Sequence, residues 1–429
     1  MFGFANFLLL ALFAAAVFDL IFALARGGGL RGALHGLWNT PHLLFGQQLA
    51  EWRLQLGRIL FAAGLAAYEI SVVFCNSMAR QNWAWVQGVM SPVLEWLAFL
   101  CFGAKILFGT RYTWRELLAG GALYFIARWV YFNSQNIWWI GIVVAVLAAK
   151  DVPLRRPLQV YFASGCAAMA VVLALHFAGI VAPDLTSERM GALRGTYGYG
   201  HPNTFGGLVF GLVLAYALLR AQKVRWVDCL LVFAVGVFLL VGPASRSAAL
   251  CTLALAGGLV FCRLRAEHSV PRWWPGTCAG MVGLTAAVSY LLPLLVIKVG
   301  PWNNDIGPAW LAKLDSLLTC RISLTWMAYR LLDVKIAGQV FNWPTVDNSF
   351  AFALFQFGPV VAALLGILFA AALLGHAKQG RRVEVCCLFA MLAYAYMEVQ
   401  PFHLTTNPTA LLLCGAVFAQ TSARWQKIE

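Results

Sequence analysis

Thirteen apolar stretches, set apart by short polar connections, govern what this 429-residue chain can become. They cover residues 2–24, 57–77, 88–108, 115–132, 135–149, 158–181, 203–221, 226–241, 245–262, 275–298, 349–374, 383–399 and 406–421. Apolar runs of roughly 17–25 residues cross a bilayer as helices, because hydrocarbon forces each backbone polar group to find its partner within the segment. Composition agrees: 61% of residues are hydrophobic and 11% charged, where a soluble domain carries about a quarter charged. A soluble fold is excluded. The reading is an all-α polytopic integral membrane protein of about 12–13 transmembrane helices. One helical domain covers 1–421, a large loop is inserted at 299–348, and a short cytoplasmic tail follows at 422–429. The first run lacks a basic leader and a small-residue cleavage site, and is expected to be a retained helix. The division of the fourth and fifth runs falls at Asn133-Ser134-Gln135-Asn136.

The formal charge of +14 is topology before it is anything else. Most of the 31 Lys and Arg fall in alternate connections, among them Arg26, Arg31, Arg53 and Arg58, then Lys150, Arg155 and Arg156, then Arg220, Lys223 and Arg225, then Arg263, Arg265 and Arg272, then Lys378, Arg381 and Arg382, then Arg424 and Lys427. That is the cytoplasmic excess of basic residues found in membrane proteins. It sets the N-terminus outside and the C-terminus in the cytosol, and directs the charge to anionic lipid headgroups, not to nucleic acid. The eleven Cys lie mainly inside apolar runs and show no metal spacing, with Cys320 alone in an outer loop. They read as small core residues.

The outer connections hold few charges. Residues 182–202 carry Arg189 and Arg194, the short loop 241–247 carries Arg246, and the last turn holds Glu398, Gln400, His403 and Asn407. The large loop carries Lys313, Arg321, Arg330 and Lys335 against Asp305, Asp315, Asp333 and Asp347. Its middle, 308–332, is helical in pattern, with Leu314, Leu317, Leu318 and Ala328 on one face and Arg321 amid them, so a lid on the outer leaflet is expected. Within the spans, Glu69, Glu95 and Arg128 fall at one level. Two readings stay open for them: a buried pair that fixes packing, or the wall of an outward cavity.

Arg194, Arg246 and Arg321 come from three outer segments, each adjoining a helix end. Guanidinium forks match phosphate oxygens two at a time, and a diphosphate needs more than one fork. Interfacial anchoring is the competing reading, although anchoring arginines favour the cytosolic side. Asp347-Asn348 precedes a span. Asp347 there is a helix N-cap or a general base for a hydroxyl proton, and the two roles are compatible.

The ordered set Arg194…Gly198-Tyr199-Gly200-His201-Pro202-Asn203, Ser245-Arg246-Ser247, Arg321 in a long outer loop and Asp347-Asn348-Ser349-Phe350…Phe357-Gly358 resembles the O-antigen ligase and Wzy-type polysaccharide polymerase superfamily. The match runs from about residue 158 to 421. The resemblance implies a GT-C-like membrane glycosyltransferase without metal or other cofactor, working on the outer face of a bacterial cytoplasmic membrane. Its donor would be a glycan on undecaprenyl diphosphate. By this resemblance Arg246 and Arg321 hold the donor diphosphate, and Asp347 stands where ligases place a His before Asn, which fits a polymerase. Arg194 assists. His201, Asn203, Asn348, Arg330, Glu398 and His403 complete the candidate substrate-binding set. Membrane lipid, a chain-length regulator and a flippase are the implied partners. A glycan ligase shares the donor and differs in acceptor. A transporter of lipid-linked glycan would favour internal repeats and a charged path through both leaflets, and neither is evident.

Overall fold

The computed structural model describes residues 2–25, 29–46, 51–181, 187–189, 192–265, 270–297 and 307–418. The expected tail at 422–429 and the start of the large loop, with Asp305, lie outside these residues. The first half of the chain is α1 (Phe2–Ala25), α2 (Gly29–Asn39), α3 (Glu51–Cys75), α4 (Ala79–Asn82), α5 (Ser91–Phe108), α6 (Trp114–Ser134), α7 (Ile137–Ala148) and α8 (Arg155–Phe177). The second half is α9 (Pro202–Leu219), α10 (Trp226–Val241), α11 (Arg246–Leu264), α12 (Trp274–Leu291), α13 (Ala309–Leu317), α14 (Arg321–Leu331), α15 (Ser349–Phe352), α16 (Pro359–Lys378), α17 (Arg382–Met397) and α18 (Cys414–Val417).

Among the described residues eight helices are long and apolar enough to cross a membrane: α1, α3, α5 with the π-turn before it, α8, α9, α11, α12 with its 3-10 extension, and α16. Large apolar side chains such as Phe13, Val227, Leu230 and Ile367 face outward while Glu69, Lys105, Arg321 and Glu398 are buried. That inversion is what a lipid surround selects. The chain is a multi-pass helical membrane protein.

The thirteen expected runs are modified at identifiable places. Asn136 caps α7 through Trp139 N–H at 3.1 Å, and Gln135 takes a left-handed conformation, so the chain breaks between α6 and α7. Run 349–374 is not one helix: Gly358, at φ 88°, turns the chain ahead of Pro359 at the first position of α16. Run 406–421, described as far as 418, begins as a 3-10 segment, Pro408–Leu413, before α18. Apolar α7 and α10 are only 12 and 16 residues long. The all-α expectation also misses two ribbons: β1 (His42–Leu43) pairs antiparallel with β2 (Arg111–Tyr112), and β3 (Ser187–Arg189) with β4 (Ala192–Arg194).

The paired reading of these intramembrane charges does not hold. Arg128 turns to α1, where its Nε donates to Asn6 Oδ1 at 2.8 Å, and its guanidinium lies 4.6 Å over the Phe132 ring. Glu69 is buried against α8, its Oε1 2.8 Å from where a Cβ on Gly165 would stand. Among the described residues neither Glu69 nor Glu95 pairs with Arg128: Glu69 lies against α8 and Arg128 against α1.

At one end of the bundle the α5–α6 and α7–α8 connections share a buried lysine cluster. Lys150 Nζ donates to Arg111 O at 2.7 Å and lies 3.4 Å from both Glu116 Oε1 and Asp151 Oδ1. Lys105 Nζ donates to Thr110 Oγ1 at 2.7 Å and to Lys150 O. The other end of α7 faces the polar residues described next.

Candidate functional site

Glu398 follows α17 in an extended conformation and gathers four segments on one oxygen. Its Oε1 accepts from Arg321 Nη2 at 2.6 Å, Ser247 Oγ at 2.8 Å and Asn203 Nδ2 at 3.1 Å. Arg321 opens α14, Ser247 lies in the first turn of α11 and Asn203 in the first turn of α9. Three helix N-termini therefore converge on one carboxylate, an arrangement their dipoles favour.

Arg321 reaches this point because the large loop reverses. Thr319 and Cys320 both have positive φ, at 61° and 63°, and separate α13 from α14. Asp315 holds the reversal: its Oδ1 accepts from Ile322 N–H at 2.8 Å and Ser323 N–H at 3.1 Å, supplying the cap α14 lacks from its own preceding residue. The expected single apolar face is thereby overturned. Leu311 and Ile322 share one buried cluster, Ala328 belongs to another, and Leu317 is exposed. Arg321 is turned inward instead of lying on a stripe. Nε donates to Met397 O, Nη1 to Leu318 O and Thr319 Oγ1 at 2.8 Å each, and Nη2 to Ser247 and Glu398. All five guanidinium hydrogens are thus engaged inside the protein.

A second layer extends from Asn203. Its Oδ1 accepts from Arg194 Nη2 at 2.9 Å, and Arg194 also donates to Ala244 O at 3.2 Å. Gln400 Nε2 donates to Asn203 O at 3.1 Å and its Oε1 accepts from Tyr394 OH at 2.7 Å. Glycine makes room for this: a Cβ on Gly207 would stand 1.7 Å from Gln400 Oε1, and one on Gly206 2.2 Å from Ser245 Oγ. His201 caps α9, its Nδ1 accepting Asn203 N–H at 3.1 Å ahead of Pro202.

The remaining candidates surround this core. Ser245 and Ser247 are buried while Arg246 between them is exposed. Asn348, not Asp347, is the helix cap: its Oδ1 accepts from Phe350 and Ala351 N–H at 2.9 and 3.1 Å, and its Nδ2 donates to Ser289 Oγ. The capping role considered for Asp347 is therefore taken by its neighbour. Asp347 is half-buried and within electrostatic reach of Glu398, and Ser349 Oγ donates to Glu398 O. Arg330 is not brought in: it sits near the far end of α14, exposed, 5.3 Å over the Trp326 ring. His403 lies against Trp138, ring centroids 3.7 Å apart. Asp315, Ser349 and Tyr394 are structural members not expected from the sequence. Asp315 had a signal, a carboxylate a few residues ahead of a helical pattern.

Burial pushes the Glu398 carboxyl above the usual carboxylate range, and nearby Asp347 adds to this, while Arg321 and Ser247 pull it down. Burial pushes the His403 imidazole down to about 3, so it stands neutral. The core thus has two buried cations, Arg194 and Arg321, an exposed one at Arg246, and two carboxylates. Compared with protein-family models, curated proteins and solved structures, the chain matches none.

Proposed function

We propose that this chain is a metal-independent membrane glycosyltransferase of the Wzy type. It would join lipid-linked repeat units at the extracytoplasmic side of a bacterial cytoplasmic membrane. The observation that carries the reading is the convergence of Arg321, Ser247 and Asn203 on Glu398 from separate segments, with Arg194 held on Asn203 behind them and exposed Arg246 on the rim. A donor already activated as a diphosphate needs a charge clamp, positioning and a base.

In this reading Arg246 meets the diphosphate first. Arg321 sits behind it and shares Nη2 between Glu398 and a phosphate oxygen, while Arg194 keeps Asn203 in place. Asp347 accepts the proton of a sugar hydroxyl on the next repeat unit. That oxygen attacks the anomeric carbon, the bond to the diphosphate oxygen breaks, and undecaprenyl diphosphate leaves with inversion. Asn348, already capping α15, fixes the segment that carries Asp347. Arg330, distant along α14, drops out of the clamp. A chain-length regulator and a flippase are the protein partners this reaction requires.

The test is transfer by purified protein in detergent with a lipid-linked repeat unit, read by gel and mass spectrometry. A ladder of multiples on the lipid carrier, lost in Asp347→Asn and Arg246→Ala, is expected. Product only after a separate terminal acceptor is added would make the chain a ligase. No transfer under either condition overturns the reading.

A further inference from the structure

The polar turn between α6 and α7 takes no part in the transfer step, yet it borders the site on two sides. Gln356 Nε2, eight residues beyond Asn348, donates to Ser134 O at 2.9 Å. Phe402, next to His403, packs on Phe352 and Phe357 with centroids 5.7 and 5.0 Å apart. The segment that follows Asp347 therefore meets this turn, and the one that follows Glu398 packs on that segment and reaches Trp138 of α7 through His403.

The turn sorts two adjacent tryptophans. With Asn136 capping α7, Trp139 points inward, 1% exposed and 5.2 Å from the Phe357 ring, while Trp138 stays 37% exposed. His403 leans on Trp138 at an interplanar angle of 39°. In the turn just ahead of α7 stand the exposed amides of Asn133 and Gln135. Each donates to a helix carbonyl, Trp129 O at 2.8 Å and Phe132 O at 2.9 Å. An amide carries two N–H donors and a carbonyl with two lone pairs, so each keeps hydrogen-bonding capacity at the surface.

We propose that Trp138, backed by His403, forms with Asn133 and Gln135 of the turn ahead of it a pyranose-binding subsite that receives the glycan beside the reacting centre; this rests on the glycan-transfer reading. The C–H face of a pyranose is apolar and its rim is ringed with hydroxyls. A rigid aromatic plate with amides at its edge satisfies both at low entropic cost. An interfacial tryptophan serving only as a membrane anchor is the plain alternative. It gives no reason for the ring to be held by a neutral histidine three residues after Gln400.

The test is saturation-transfer NMR on the protein in nanodiscs. The probe is the glycan released by mild acid from the lipid-linked repeat units of the source cell, which carries neither lipid nor phosphate. The wild type is expected to bind it. Trp138→Ala should weaken binding by about tenfold or more, as loss of a central aromatic anchor does. Trp138→Phe should retain most of it and guards against a folding defect. Asn133→Ala with Gln135→Ala should lower affinity by several-fold, and Arg246→Ala should bind as the wild type does. In the transfer assay Trp138→Ala should raise KM for the acceptor and leave kcat nearly unchanged. No binding by the wild type, or equal binding by Trp138→Ala, overturns the subsite. Binding lost on Trp138→Ala in a protein that transfers nothing would sink the transfer reading and leave the subsite standing.

Discussion

The two ends of the bundle each bury a charged cluster, and they are built differently. At the lysine end, Lys105 and Lys150 place their ammonium groups on main-chain oxygens, Lys150 O and Arg111 O. The partners come from two short stretches, 105–116 and 148–151, and the cluster is closed over by the Tyr112 and Phe418 rings, 5.5 and 5.6 Å from Lys150 Nζ. At the Glu398 end the partners come from three outer segments besides that of Glu398, and the central links run from side chain to side chain. A backbone carbonyl cannot leave its place, whereas a carboxylate shared by several donors can give one up to an incoming anion. The first cluster ties connections together. The second can exchange a partner, which is what a binding site requires.

Removing Glu398 is the strongest way to break this contrast. Glu398→Ala strands the buried Arg321 guanidinium, and loss of one partner of a buried pair costs about 3–5 kcal/mol. A large drop in thermal midpoint and no ladder are expected, with partial recovery of both in Glu398→Asp. A midpoint equal to that of the wild type would show the hub to be incidental. At the other end, Lys150→Met leaves Glu116 and Asp151 without their shared cation, and a loss of about 3 kcal/mol is expected. The decisive reading there is that product length per folded molecule stays unchanged. A shortened ladder from Lys150→Met would merge the two ends into one functional unit. Gly207→Ala is next, because its methyl would meet Gln400 Oε1 and Tyr394 OH. Overpacking of this kind costs about 1–3 kcal/mol, and the displaced Gln400 should lower transfer as well.

How far the sequence discloses this arrangement depends on distance along the chain. The helices follow from apolar runs, and the break at Asn133–Asn136 follows from residues that cap and turn. The outer polar residues Arg194, Asn203, Arg321 and Glu398 stand out for the same reason, being costly groups beside apolar helices. Their pairing does not, since Arg321 and Glu398 are 77 residues apart. Arg321 itself misleads: the pattern sets it on an apolar stripe, because nothing in Thr319-Cys320 advertises a reversal. Positive φ at such residues is uncommon, and Asp315 stabilises it from the preceding helix. Asp347 and Asn348 are both good caps, so choosing between them needed the Ser289 contact that fixes Asn348.

A smaller effect is expected in acid. His403 is held near 3 when folded and titrates near 6.5 when unfolded. As pH falls below about 6.5 the unfolded chain takes up the proton first. The stability that the neutral ring contributes is therefore full above that value and is lost as pH falls toward 3. Thermal midpoints at pH 7 and pH 5 should fall further in the wild type than in His403→Gln. Equal slopes would mean that the ring near Trp138 is open to protonation in the folded state.

Arg246→Ala should change stability least and still separate the ends most sharply. The side chain is exposed at the first position of α11, where a cation faces the positive end of the helix dipole, so its removal should move stability by no more than about 0.5 kcal/mol. The buried serines on either side keep their places. If the rim receives a diphosphate, transfer should nevertheless fall by about tenfold or more, because a fork aimed at developing charge acts on the barrier and not on the fold. Loss of transfer with stability kept would assign Arg246 to binding a group outside the protein. Transfer unchanged in Arg246→Ala would return it to the role of an interfacial anchor, and would leave Arg321, whose donors are all engaged, as the only arginine that must open to admit a phosphate.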